Sequence, residues 1–124
     1  LIAVHGSRIS AANDELRDFA VRLGAAYPQH WSQVTTGFLE FGEPSLPDAL
    51  TGLLAAGADR ITVVPLFLST GRHVGTDIPT VLTAFSRVHP DVHIQLAPHI
   101  GAWNGLGAAV ATLARDVEDG RQQP

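Results

Sequence analysis

The segment from Ile61 to Leu68 constrains the fold more than any other: it is almost wholly apolar, and residues 61 to 64 are all β-branched. A run this short is typical of a strand. Its lack of polar alternation is expected of a central parallel strand covered on both faces. Pro65 lies inside it and removes one ladder donor, so it should mark a bulge or the point where pairing on one side ends.

A central parallel strand needs helices to return the chain, and the flanking sequence supplies them. The apolar run Leu1 to Val4 reads as a strand. Leu16, Phe19, Ala20 and Leu23 recur at i, i+3, i+4 and i+7, which predicts an amphipathic helix over about residues 10 to 26, closed by Tyr27-Pro28. Val34 to Leu39 is a second strand. Glu43-Pro44-Ser45 turns into a helix carrying Leu46, Ala49, Leu50, Leu53 and Leu54. After the central strand, Ile78, Val81, Leu82 and Phe85 mark a third helix. Val92, Ile94 and Leu96 alternate with His93 and Gln95 as in an edge strand, and Leu106, Val110, Leu113 and Val117 mark a fourth helix. Four strands alternating with four helices through short connections imply right-handed crossovers. The expected fold is α/β, a four-stranded parallel sheet with helices on both faces, like half of a flavodoxin-type sheet. Residues 1–118 would form this domain, and the polar residues 119–124 would fray.

Composition narrows the chemistry. With 124 residues, 45% of them hydrophobic, the chain can bury one real core but not two. Cysteine is absent, which removes disulfides, thiolate metal sites and thiol nucleophiles, so any metal must sit on nitrogen and oxygen. All eight basic residues are arginine, and a net charge of −4 without a basic cluster gives no footprint for nucleic acid. Neither a membrane span nor a signal peptide is visible. A soluble, cytoplasmic protein is expected. The absence of methionine suggests a start trimmed from a true N-terminus upstream of Leu1.

In open parallel sheets, ligands bind beyond the carboxyl ends of the strands. His5-Gly6-Ser7-Arg8 follows the first strand, Glu40 the second, and Gly71-Arg72-His73 the third. Two imidazoles and one carboxylate from separate strand ends can hold a first-row divalent ion while leaving coordination positions open, as a metal that must be handed over requires. Gly6 suits an unusual dihedral or close backbone approach, and Ser7 with the following amides can meet an anion at a helix N-terminus. Arg8 and Arg72 add positive charge, so the ligand should be anionic. Asp77 could orient His73, although a helix N-cap is the stronger reading for it. Trp31 and Trp103 read as packing residues. His30, His89, His93 and His99 read as solvated, with His99 close enough to a strand end to touch a substrate.

Four motifs occur in order: His5-Gly6-Ser7-Arg8; Gly37-Phe38-Leu39-Glu40 with Glu43-Pro44-Ser45-Leu46; Val64-Pro65-Leu66-Phe67-Leu68; and His73-Val74 followed by Asp77-Ile78-Pro79. Together they resemble the CbiX/SirB sirohydrochlorin chelatases over about residues 1 to 101. The resemblance implies an ATP-independent class II chelatase that inserts Co2+ or Fe2+ into sirohydrochlorin, on the route to cobalamin or siroheme. His5 and His73 then match the metal-binding histidines and Glu40 the acidic residue, either base or ligand, while Ser7, Arg8 and Arg72 would bind the carboxylates of the macrocycle rim. No organic cofactor is implied. The metal is a substrate, and the same donors accept Ni2+ or Zn2+. Short forms of the family work as homodimers, so a second copy would help to form the cleft.

Three other readings compete. A histidine phosphatase needs an arginine before the first histidine, where Val4 stands, and an α/β-hydrolase needs a Gly-x-Ser-x-Gly elbow that is absent. A non-catalytic metal or tetrapyrrole carrier on the same fold is the third.

Overall fold

β1 (Ile2–Val4) is the strand around which the sheet is built. In the computed structural model, which describes residues 1–121, β1 pairs in parallel with β2 (Thr36–Phe38) on one side and β3 (Arg60–Pro65) on the other. β3 pairs in parallel with β4 (His93–Leu96), so the order is β2-β1-β3-β4. The helices are α1 (Ser10–Ala26), α2 (Leu46–Ala55), α3 (Ile78–Val88) and α4 (Gly105–Glu118).

Side-chain alternation sorts the strands' residues onto two faces. Leu1, Ala3, Ile61 and Val63 join Leu46, Leu50 and Leu53 of α2 and Ile78 and Leu82 of α3. Ile2, Val4 and Phe38 face the other way, against Leu16 and Leu23 of α1. Helices thus lie on both faces, as expected. The chain crosses from the α1 face to the α2 face in passing over β1, which puts the topological switch point between β1 and β3.

Local chemistry explains where the helices begin. The Ser45 hydroxyl caps α2 by accepting from the Asp48 N–H at 3.2 Å, and Pro47 occupies its first turn, where a missing N–H costs nothing. Before α3 the chain makes a π turn, His73–Asp77, in which the Ile78 N–H reaches back to the His73 carbonyl. Pro79 follows at once. Its ring would crowd the carbonyl four residues earlier in a regular helix, and the wider turn relieves that clash.

Several expectations need correcting. β2 spans Thr36–Phe38 rather than 34 to 39, because β1 offers only three residues to pair with; hydrogen bonds from Ile2 to Thr35 and from Leu39 to Val4 flank the ladder. β3 ends at Pro65, and Leu68 is exposed. Val64 and Leu66 donate to Leu1 and Ala3 at 2.9 and 2.8 Å, so Pro65 faces β4, whose last bond runs from Ala97 to Val63 at 2.9 Å. The proline therefore sits where pairing on one side ends. Nor is β3 buried on both faces: Arg60 and Thr62 are exposed beside His93 and Gln95 of β4, and this half of the α1 face is polar.

α4 does not cover that half. It buries no residue, and Val110, Leu113 and Val117 are 59%, 57% and 51% exposed. Trp31 and Trp103 are about half exposed and pack only at the surface, Trp31 against Tyr27 and His30 and Trp103 over Gly105. His89 is half-buried and stacks on Phe85 with centroids 4.4 Å apart, so it is not the solvated residue expected. Of the polar tail, Asp119 to Arg121 folds back on α4, where the Arg121 N–H donates to the Asp116 carbonyl at 2.7 Å; residues 122–124 lie outside the described residues.

Candidate metal centre

β1 and β3 are neighbours at the switch point, so whatever follows them meets at one mouth of the sheet. His5 leaves β1 directly. His73 opens the π turn after β3, and its ring centroid lies 4.7 Å from that of His5, at 64°. Glu40 follows β2, and its Oε2 lies 3.5 Å from Nε2 of His5. One donor atom from each of His5, Glu40 and His73 falls within 4.8 Å of the others. Metal–ligand bonds near 2.0–2.1 Å separate tetrahedral donors by about 3.3 Å, so small side-chain rotations suffice to close the set.

Hydrogen bonding aims both imidazoles. His73 Nδ1 lies 2.8 Å from Asp77 Oδ2, and His5 Nδ1 lies 2.9 Å from the Gly6 carbonyl. A carboxylate and a carbonyl accept only, so each Nδ1 donates, and Nε2 is the nitrogen that offers a lone pair to a metal when the ring is neutral. Asp77 is thus the orienting acceptor, not a helix cap: it makes no capping hydrogen bond to α3. The side chains of His5, Glu40 and His73 are 43%, 48% and 25% exposed. The donors are therefore open to solvent and to a large ligand.

Backbone geometry brings Glu40 to His5. Gly6 has φ +93°, and a Cβ there would collide with the Glu40 carbonyl, so only glycine permits this approach. The Glu40 N–H donates to the His5 carbonyl at 2.8 Å, extending the β1–β2 pairing one step past the strands.

The remaining sequence-derived residues surround this mouth. The Ser7 hydroxyl accepts from the Ile9 N–H at 3.0 Å, which leaves its own proton free for an anion. The Arg8 guanidinium lies 4.9 Å over the Phe41 ring, itself 6.0 Å from the His5 ring. Arg72 is exposed, with Nε 3.7 Å from the second oxygen of Asp77. His99 is half-buried. It is held by the Phe67 carbonyl at Nδ1 and by the Thr70 hydroxyl at Nε2, both at 3.2 Å.

Three residues at this mouth are absent from the sequence expectations: Phe41, Asn13, whose amide donates to the Phe41 carbonyl, and Arg17, which donates to the Glu43 carbonyl. Asn13 gives a signal in retrospect, as a polar residue at the head of the stripe Asn13, Leu16, Ala20, Leu23. Phe41 gives none, because a phenylalanine with φ 56° is not a residue any turn pattern predicts.

Known proteins share both sequence and shape with this chain. It is 44% identical over 82 residues to the sirohydrochlorin cobaltochelatase of Saccharolobus solfataricus, covering 66% of this chain and 61% of that one. It is 35% identical over 101 residues to the enzyme of the same name from Sulfurisphaera tokodaii, covering 82% and 78%. The chain thus spans about three-fifths of the length of the first of these relatives. Among solved structures, a CbiX protein of Marinobacter aquaeolei VT8 superposes with a TM-score of 0.74 at 28% identity, covering 98% of this chain and 96% of that one. The sirohydrochlorin chelatase SirB of Bacillus subtilis subspecies spizizenii, solved in complex with cobalt, gives 0.70 at 29% identity, covering 94% of this chain and 49% of SirB. SirB of Bacillus subtilis has also been solved with Fe3+, with a TM-score of 0.67. The sequence profile of CbiX matches residues 1–117, nearly every residue that builds the sheet and its mouth. On that match the chain belongs to the CbiX family.

Proposed function

We propose that this chain is a sirohydrochlorin chelatase that inserts Co2+, or Fe2+, into the macrocycle without ATP, in cobalamin or siroheme formation. One observation carries the reading: two imidazoles anchored through Nδ1 bring one donor atom each within 4.8 Å of one another and of a Glu40 oxygen, at the switch point of the sheet. The names of the relatives and the cobalt in SirB support the same reading.

The chemistry balances simply. A divalent ion held on His5 and His73 exchanges these nitrogens for four pyrrole nitrogens, and two pyrrole N–H protons leave. Glu40 accepts one proton and passes it to water, and the second follows the same route. The open side of the donor set lets the macrocycle approach before the imidazoles release the ion. Ser7, Arg8 and Arg72 bind the rim carboxylates, where planar guanidinium groups suit the geometry.

We further propose that residues 1–118 work as one domain, as half of a cytoplasmic homodimer. The apolar stripe of α4 supports this, since a solitary helix of this length is marginal in water and Val110, Leu113 and Val117 have little to pack against within one copy.

The test is a visible-spectrum assay of sirohydrochlorin with Co2+ and with Fe2+, for wild type, His5→Ala and His73→Ala. Wild type should accelerate metallation and both variants should lose most of that acceleration. Wild-type rates in both variants would overturn the site. Binding of macrocycle without faster metallation would instead favour a carrier.

A further inference from the structure

Asn13 is 4% exposed on the core side of α1, and its side chain serves neither helix nor sheet. Its Nδ2 donates to the Ser7 carbonyl at 2.8 Å and to the Phe41 carbonyl at 2.7 Å, while its Oδ1 accepts from the Ser7 N–H at 2.8 Å. One buried amide therefore joins the loop that leaves β1 to the loop that leaves β2. One turn further along α1, on the same face, Arg17 Nε donates to the Glu43 carbonyl at 2.9 Å, and its guanidinium lies 5.0 Å over the Phe38 ring. Between them, Asn13 and Arg17 hold both ends of the Phe41–Glu43 turn.

The strands alone cannot do this. β1 and β2 share three paired residues, and their pairing ends with the Glu40 N–H on the His5 carbonyl. That bond ties the backbones of His5 and Glu40, but the loops that follow them, which fix how the two residues are presented, have no ladder of their own. The turn after Glu40 is also strained, because Phe41 adopts φ 56°, which non-glycine residues rarely tolerate. Capture of its carbonyl by Asn13 holds that conformation. We propose that Asn13, assisted by Arg17, is a positioning residue that sets the spacing of Glu40 from His5. This rests on the reading of His5, Glu40 and His73 as the metal site.

Asn13→Asp tests it. The aspartate keeps the acceptor for the Ser7 N–H but turns a carboxylate oxygen toward two carbonyls, which pushes the loops apart. Co2+ affinity of the full chain is measured by titration at a temperature where every variant is folded by circular dichroism. Leu82→Ala serves as a control that destabilises the opposite face. Asn13→Asp and Asn13→Ala should bind Co2+ about 10-fold more weakly or worse, while Leu82→Ala stays within about twofold of wild type even if it melts earlier. Should the Asn13 variants not fold, Arg17→Met decides. It loses the bond to Glu43 but still covers Phe38, and about threefold weaker binding with little change in melting temperature is expected.

Wild-type affinity in the folded Asn13 variants, or in Arg17→Met where only that variant folds, would overturn the proposal, as would an equal loss in Leu82→Ala. Absence of Co2+ uptake by the wild-type chain would overturn the metal-site reading itself, and the proposal with it. That failure is distinguishable, since a failure of Asn13 alone leaves uptake intact in wild type and variants alike.

Discussion

Asp77 Oδ2 accepts a hydrogen bond from Nδ1 of His73 across 2.8 Å, four residues on in the same π turn, which leaves Nε2 as the nitrogen available to a metal. The carboxylate touches no other donor of the metal site, and its second oxygen lies near the exposed Arg72. Asp77→Asn would offer a mixed donor and acceptor and release the imidazole to either tautomer. Co2+ affinity should fall about 10-fold or more, with the fold retained, and isothermal titration reads the loss directly. An unchanged affinity would show that His73 needs no orienting partner.

Glu40 stands 3.5 Å from His5 and is about half exposed, which suits a group that exchanges protons with water. Glu40→Gln should therefore slow metallation by about 100-fold, a usual loss for a missing general base, while Co2+ binding weakens less than tenfold. Parallel measurement of initial rate and of Co2+ affinity separates the roles. The reverse pattern, with binding lost and the rate at saturating metal preserved, would make Glu40 a ligand and not a base.

Gly6→Ala probes the close approach of two strand ends. The added methyl meets the Glu40 carbonyl, and φ +93° is unfavourable to alanine even in open space. The variant should be destabilised by roughly 1–3 kcal/mol through local strain and should lose Co2+ affinity with it, as followed by urea denaturation and metal titration. Leu50→Ala provides the contrast. This fully buried α2 residue lies deep in the core, and its truncation should cost about 2–5 kcal/mol without weakening Co2+ binding by the folded protein.

Leu113→Glu addresses pairing of two copies. The position is exposed within one copy, so the fold should persist, whereas a charge on the apolar stripe should split a dimer. Light scattering should give twice the chain mass for wild type and the single chain mass for the variant. A wild-type monomer would remove the proposed homodimer.

Most of the architecture was legible because its determinants are local. Periodicity at Leu16, Phe19, Ala20 and Leu23 located α1, although Phe19 itself is 37% exposed, and the β-branched run at Ile61 located the central strand. The ends of β2 and β3 were not legible, since they depend on how many residues a neighbour offers for pairing. The bare half of the α1 face was missed for a related reason: a helix with an apolar stripe is visible in sequence, but what it packs against is not. His5, Glu40 and His73 could be read from their places after strands. Asn13 could not be assigned its bonds, because Ser7 and Phe41 become its neighbours only once the sheet has formed.

The neighbouring placement of β1 and β3 has a further consequence. His5 projects from the end of one and His73 from a turn anchored on the other, in a register that matches Ile2 to Val64. A slip of one residue would invert the side chains of either strand and carry the two rings apart. On the proposed metal site, cobalt uptake would therefore also gauge strand alignment, and during refolding it should appear only after the parallel pair has locked.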